Sequence, residues 1–140
     1  MEWISESRRK RFESSVGPQG FVRNLDRLLP EMIKTRALPV GDEIILPYED
    51  AVSAIAIASE HQIAILGFDA GEITEQGFQS LNYSGYDRNI ELIGDWSSYV
   101  SMMNSQAERW IKEHPLPENH GYILTSASED ELREAKKQLK

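Results

Sequence analysis

The chain has 140 residues, 40% of them hydrophobic and 27% charged, with a formal net charge of −8 and no cysteine. This composition is typical of one soluble globular domain and excludes a chain that is disordered throughout. Disulfides, zinc–thiolate sites and thiol nucleophiles are excluded because each of them needs cysteine. We therefore expect a single domain over residues 1–140.

The sequence also bears on where the protein works. Residues 1–30 contain no apolar run that suits a signal-peptide core. No segment approaches the roughly 20 apolar residues that a membrane helix needs. The lack of cysteine favours a reducing compartment. We expect a cytoplasmic protein that does not bind membranes.

The negative charge is concentrated in the middle of the chain. Residues 37–107 contain eleven acids and one base, Arg88, whereas residues 1–36 contain eight bases and five acids. A field of one sign opposes binding to nucleic acid and speeds encounter with a basic partner. The plainer interpretation is that the charge keeps the protein soluble.

The N-terminal quarter predicts helices and then a loop. Residues 1–17 show little periodicity, and their basic cluster Arg8–Arg11 is typical of a solvated helix face or a loose terminus, with phosphate or nucleic-acid binding as the alternative. Apolar residues between 21 and 33 recur at helical spacing, and Pro30 should kink that helix or start a new turn. Residues 38–41, Leu-Pro-Val-Gly, favour a loop.

The central segment predicts a buried helix and then most of the sheet. The helix covers about Glu49–Ser59 and is apolar nearly all round. The continuous apolar run Ile63–Phe68 favours a buried strand. Further on we expect two strands around a glycine-containing hairpin turn, then a loop and a short strand. These are residues 72–74 and 78–81 around 75–77, then 83–87 and 90–93.

The C-terminal part predicts two helices around a strand. The first helix runs from its N-cap Asp95 to His114, and the strand covers Gly121–Thr125. Ser128–Glu131 forms a capping box for the last helix. The predicted inner face of that helix is Leu132, Ala135 and Leu139. The fold class is therefore α+β, with a small central sheet of about four to five short strands packed by about four helices in a single layer on one or both faces.

Motifs for cofactor or metal chemistry are lacking. Neither a dinucleotide-binding glycine pattern nor a phosphate-binding loop is present. The three histidines, His61, His114 and His120, do not form a zinc-binding motif. We expect no cofactor and no metal.

One group of acids and tyrosines is a candidate site. Tyrosines among acids on loops are typical of recognition surfaces, since they combine rigid anchors with a charged rim. Catalysis needs unlike groups tuned against one another, whereas like charges accumulate here. We therefore favour a partner-binding surface and no enzymatic activity. Its predicted residues are Asp69, Glu72, Glu75, Tyr83, Tyr86, Asp87, Glu91 and Asp95.

Three short segments carry a family resemblance: Leu46–Ala51, Ile65–Ala70 and Ser84–Asp87. They resemble the small immunity proteins encoded beside bacterial polymorphic or contact-dependent toxins, among them the immunity protein 40 family, over about residues 45–127. The resemblance implies a non-enzymatic cytoplasmic inhibitor that blocks one cognate toxin domain, often a nuclease with a basic face. It implies no catalytic residues.

Two alternatives remain open. One is a small hydrolase or transferase that uses the region of Asp69, Glu72 and His120. The other is a regulatory binding subunit.

Overall fold

The computed structural model describes residues 3–17, 20–86 and 95–138, and for residues 82–86 it describes the backbone. The elements in chain order are α1 Glu6–Val16, α2 Asn24–Leu28, α3 Glu31–Arg36, β1 Leu38–Val40, β2 Glu43–Ile45, α4 Tyr48–Glu60, β3 Ala64–Thr74, β4 Gly77–Tyr86, α5 Trp96–Glu113, β5 His120–Ala127 and α6 Glu129–Gln138. The predicted α+β class is confirmed.

The main sheet has three antiparallel strands in the order β4-β3-β5. β3 and β4 form the predicted hairpin, in which Thr74 pairs with Gly77 and Gly77 has a φ of 119°. A left-handed φ of this kind favours glycine. A second, two-stranded sheet is formed by β1 and β2, and it touches the main sheet through a bridge between Leu46 and Tyr122.

Helices α4 and α5 cover one face of the main sheet. The alanine-rich α4 buries Ala51, Ala54 and Ala58, and small side chains of this kind allow close packing. Helix α5 adds Ala107 and Ile111 to the same core. The two helices thus enclose the larger hydrophobic core against β3 and β5.

The opposite face of the sheet is covered by α1 and the β1–β2 hairpin. Phe12 of α1 is 0% exposed and packs in a second core with Leu38, Ile45 and Ile73. Burial of one phenylalanine side chain contributes roughly 1.5–3 kcal/mol. Within the described residues 3–17 the basic N-terminal segment is therefore a packed helix and not a loose terminus.

The segment between residues 21 and 41 differs in part from the prediction. Pro30 separates α2 from α3 and acts as the N-cap of α3, as the missing backbone N–H of proline predicts. The loop predicted for residues 38–41 was wrong, because residues 38–40 form β1 and Gly41, with a φ of 60°, lies in the turn. Pro39 is tolerated because a short edge strand leaves backbone donors unpaired.

The strands of the hairpin are longer than predicted. β3 has 11 residues and β4 has 10, so the loop predicted for residues 83–87 is wrong over 83–86. Tyr83 pairs with Ala70 and Tyr86 pairs with Gly67. The partners are far apart in the sequence, so local patterns do not reveal these pairings. The strand predicted for residues 90–93 lies outside the described residues.

The helix caps agree with the sequence. Asp95 accepts a hydrogen bond from the Ser98 backbone N–H at 2.7 Å and starts α5. Ser128 and Glu131 exchange hydrogen bonds of 2.8 and 3.2 Å, which is the predicted capping box. On α6, Leu132 is buried, but Ala135 is exposed, so the predicted inner face is wrong at that position; Leu139 lies outside the described residues.

None of the helices among the described residues combines the length and apolar character needed to span a bilayer.

Candidate functional site

The predicted acids of β3 do not share one face of the sheet. Side chains alternate along a strand, so residues three apart point to opposite sides. Asp69 lies beside Ile123 on the α1 side, whereas Glu72 lies beside His120 on the α4–α5 side. Asp69 accepts a hydrogen bond from Ser80 Oγ at 2.8 Å. These two carboxylates therefore cannot act together on one small substrate from the same side.

Glu75 lies at the tip of the β3–β4 hairpin and forms an ion pair with Arg11 of α1. Both side chains are more than half exposed, so this pair contributes at most about 1 kcal/mol to stability. A partner's basic group can therefore compete with Arg11 for this carboxylate.

The predicted tyrosines belong to β4, which is an edge strand of the described sheet. Within the described residues no other strand pairs with its outer edge. Edge strands offer unpaired backbone groups to a partner chain. Tyr83 and Tyr86 are placed in this strand by their register, while Asp87 and Glu91 lie outside the described residues.

Asp95 has a structural role. Its hydrogen bonds with Ser98 hold the pKa of the Asp95 carboxyl below its usual range. Negative charge at a helix N-terminus is also stabilised by the helix dipole. Asp95 is exposed, so a partner could still contact it.

The basic cluster Arg8–Arg11 is largely occupied by contacts within the protein. Arg8 Nη1 donates to the Ile73 carbonyl at 3.0 Å, and Arg9 donates to the carbonyls of Arg36 and Ala37 at 2.7 and 3.2 Å. Charged donors to backbone carbonyls are among the stronger protein hydrogen bonds. These arginines hold α1 against β3 and the end of α3, which accounts for their presence without a phosphate ligand.

The structure brings together two of the three residues of the hydrolase alternative. Glu72 and His120 are cross-strand neighbours on the same face, but Asp69 is on the other face. His120 Nδ1 lies 2.9 Å from the Glu118 carbonyl oxygen. Among residues 3–17, 20–86 and 95–138, no three His, Cys, Asp or Glu side chains form a group that could hold a metal ion.

A groove of about 870 Å³ lies beside the hairpin tip, and we call it the N-terminal groove. Four separate segments build it: the start of α1, α3, the start of α4, and residues 116–122. Its apolar wall includes Trp3, Met32, Tyr48 and Leu116. Met32 is 70% exposed, the largest exposed fraction among the large apolar side chains of the described residues. No pattern in the sequence predicts this groove.

The cations in the wall of the groove are held by the protein itself. Arg36 donates to both carboxylate oxygens of Asp50 at 2.8 and 2.7 Å, and these hydrogen bonds raise the pKa of the Arg36 guanidinium. Arg8 is bonded to the Ile73 carbonyl. In contrast, Glu49 and Glu118 are exposed, and neither makes an ion pair with any described residue. The charge of Glu49 also helps to raise the pKa of Arg36, but neither Glu49 nor Glu118 forms a salt bridge, and both carboxylates line the groove beside aromatic rings.

Backbone and ring contacts fix the shape of the groove. Trp3 Nε1 donates to the Arg36 carbonyl at 2.9 Å, and Asn119 adopts a φ of 65°, a conformation that asparagine tolerates better than most residues. A Cβ added to Gly121 would lie 2.9 Å from the Leu46 carbonyl oxygen and 3.1 Å from the Trp3 ring. Glycine at this position lets Trp3 pack directly on β5.

No protein-family model, curated protein or solved structure matches this chain. The resemblance to immunity proteins therefore rests on the three quoted segments alone.

Proposed function

We propose that this protein is a non-enzymatic immunity protein that binds and blocks one cognate basic toxin domain. The observation that supports the proposal is how the charges are paired. Nine acids between residues 37 and 107 are described, and two of them, Asp50 and Glu75, form ion pairs with described residues. The other seven are Asp42, Glu43, Glu49, Glu60, Asp69, Glu72 and Asp95.

Of the thirteen described bases, five pair with acids of their own helices and two, Arg11 and Arg36, pair with Glu75 and Asp50. The remaining six form no salt bridge with a described residue: Arg8, Arg23, Arg27, Lys34, Arg109 and Lys136. Salt bridges within the described residues engage Arg9, Lys10, Lys112, Arg133 and Lys137 with acids of their own helices. Since these cations are paired locally, they do little to neutralise the acids of the central segment. The excess negative charge would therefore face a partner, attract a basic surface and accelerate association.

The edge strand β4 would supply a second element of recognition. Tyr83 and Tyr86 lie in that strand, next to β3 with Asp69 and Glu72. Tyrosine buries a large area at low entropic cost, and carboxylates pair bidentately with arginine. This combination would suit a toxin whose substrate cleft is basic, as a nuclease cleft is.

The test is whether the neighbouring gene encodes a large toxin whose C-terminal domain co-purifies with the tagged chain, followed by association kinetics. We expect the association rate to fall at least tenfold between about 0.05 and about 0.5 M NaCl, because salt screens long-range attraction. A rate that does not change with salt would contradict electrostatic steering.

Acid-to-lysine substitutions would identify the surface that binds the partner. Glu72→Lys, Asp87→Lys and Glu91→Lys should each weaken binding, whereas the control Glu113→Lys changes the net charge equally at an exposed position of helix α5, outside the acidic segment. Equal effects of all four variants would show that net charge alone matters and would refute the proposed surface. Unchanged melting temperatures would establish that the variants remain folded.

A further inference from the structure

We infer that the N-terminal groove receives an arginine or lysine side chain of a protein partner. The inference deepens the proposed function, on which it rests for the identity of the partner. Its physical basis lies in the groove itself, in the charge balance of the wall and in the rings that line it.

The negative charge of the groove wall favours a cationic ligand. The Arg36–Asp50 pair is neutral as a unit, with the Asp50 side chain only 6% exposed. Arg8 donates to the neutral Ile73 carbonyl and keeps its charge, so the wall, with Arg8, Arg36, Glu49, Asp50 and Glu118, has a net charge of −1. The remaining carboxylates, Glu49 and Glu118, lie in separate parts of the wall and make no ion pair with any residue in the described ranges. A ligand cation could pair with either carboxylate without breaking a salt bridge of the protein.

The apolar part of the groove wall favours a cation that is carried on a long aliphatic side chain. Trp3 and Tyr48 supply aromatic rings, and a guanidinium or ammonium group is attracted to the face of such a ring. Met32 is exposed at the groove and is flexible enough to pack on an aliphatic stem. Lysine and arginine combine a charged head with such a stem.

The direct test is a titration with acetyl-Gly-Arg-Gly-amide followed by nuclear magnetic resonance at constant ionic strength. The indole N–H of Trp3 is a local reporter because it donates to the Arg36 carbonyl at 2.9 Å. The indole of Trp96, which donates to the Gln62 carbonyl at 2.7 Å, is a reporter that does not line the groove. We expect saturable shifts at Trp3 and residues 116–122, with a dissociation constant of about 1 mM, and none at Trp96.

Two double variants with the same change in charge test whether the peptide binds in the groove. The double variant Glu49→Gln/Glu118→Gln should bind the peptide about tenfold more weakly, since each exposed ion pair is worth up to about 1 kcal/mol. The control Glu60→Gln/Glu113→Gln removes the same charge from exposed positions that do not line the groove and should bind as the unmodified protein does. A peptide with citrulline in place of arginine should not shift Trp3.

The possible outcomes separate this inference from the proposed function. Equal shifts with citrulline, equal affinities of the two double variants, or the absence of a saturable shift at Trp3 would each overturn the inference. None of these outcomes involves the toxin. Conversely, failure of a toxin to co-purify would refute the proposed function, while a selective arginine response at Trp3 would still support a groove for basic side chains.

Discussion

Replacement of Asp26 by asparagine should stabilise the protein at neutral pH. Asp26 is 6% exposed, and its burial raises the pKa of the carboxyl from 3.8 to about 6, against the opposing hydrogen bond from the Arg23 backbone N–H. The nearby carboxylates of Glu131 and Glu43 raise it further. Asparagine is nearly isosteric and its amide oxygen can still accept the bond from Arg23, so the substitution removes the charge and keeps this hydrogen bond.

The sign of the pH dependence follows from proton binding. Between about pH 4 and pH 6 the folded protein holds a proton on Asp26 that the unfolded chain has lost, so the contribution of Asp26 to stability falls as the pH rises through this window. A pKa difference of about two corresponds to about 3 kcal/mol. Asp26→Asn should therefore exceed the unmodified protein in unfolding free energy by about 3 kcal/mol at pH 7 and by little at pH 4.

Urea unfolding at several pH values between 4 and 8 measures this difference directly. The control is Asp42→Asn, an exposed acid in the β1–β2 turn, whose effect should not grow over the same range. Glu43→Gln removes one of the charges that repel Asp26 and should recover part of the gain. If Asp26→Asn is destabilising at pH 7, or if its effect is the same at pH 4 and pH 7, burial of the charge does not control this carboxyl.

Three further substitutions test other buried polar groups. Asn104→Ala should cost about 2–4 kcal/mol in thermal or urea unfolding, because it removes three hydrogen bonds of 2.7–3.0 Å, two from α5 to the backbone of Ile63 and Ile65 at the start of β3 and one to Ser59 of α4; a loss under 1 kcal/mol would contradict this. Arg36→Met should cost about 3–5 kcal/mol by leaving Asp50 buried without its partner, and the double variant Arg36→Met/Asp50→Leu should recover most of it. Ser126→Ala should be neutral or slightly stabilising, because no described residue hydrogen-bonds the buried Ser126 Oγ, whereas a cost above 1 kcal/mol would reveal a partner for it.

Features set by local sequence could be predicted. Helix α5 begins at Asp95 and α6 at its capping box because side chains a few residues apart satisfy the first free N–H groups. Pro30 divided α2 from α3 for an equally local reason. The β3–β4 turn was found because the glycine at 77 permits a positive φ.

Features set by distant pairing could not be predicted. Residues 83–86 contain serine and glycine and look like a loop, but they pair with residues 67–70 of β3. Pro39 and its neighbours favour a loop by local pattern, but Pro39 pairs with Ile44 across the β1–β2 sheet. The N-terminal groove has no sequence signature because four segments, spread along the chain from Trp3 to Tyr122, each contribute a few side chains to it.

The separation of Asp69 and Glu72 on the two faces of β3 limits how a partner can use both. A partner lying flat on either face would reach one of them, and α4–α5 and α1 already cover much of each face. The hairpin tip, where Glu75 is exposed, is the place from which both sides of the strand can be approached. That tip adjoins the N-terminal groove, because the Ile73 backbone N–H donates to the Asn119 carbonyl at 2.6 Å and Arg8 bonds the Ile73 carbonyl. A basic partner that approaches end-on would therefore meet the tip carboxylates and the groove as one continuous surface, and substitutions at Glu75 and Glu118 should then be coupled in a double-mutant cycle of its binding.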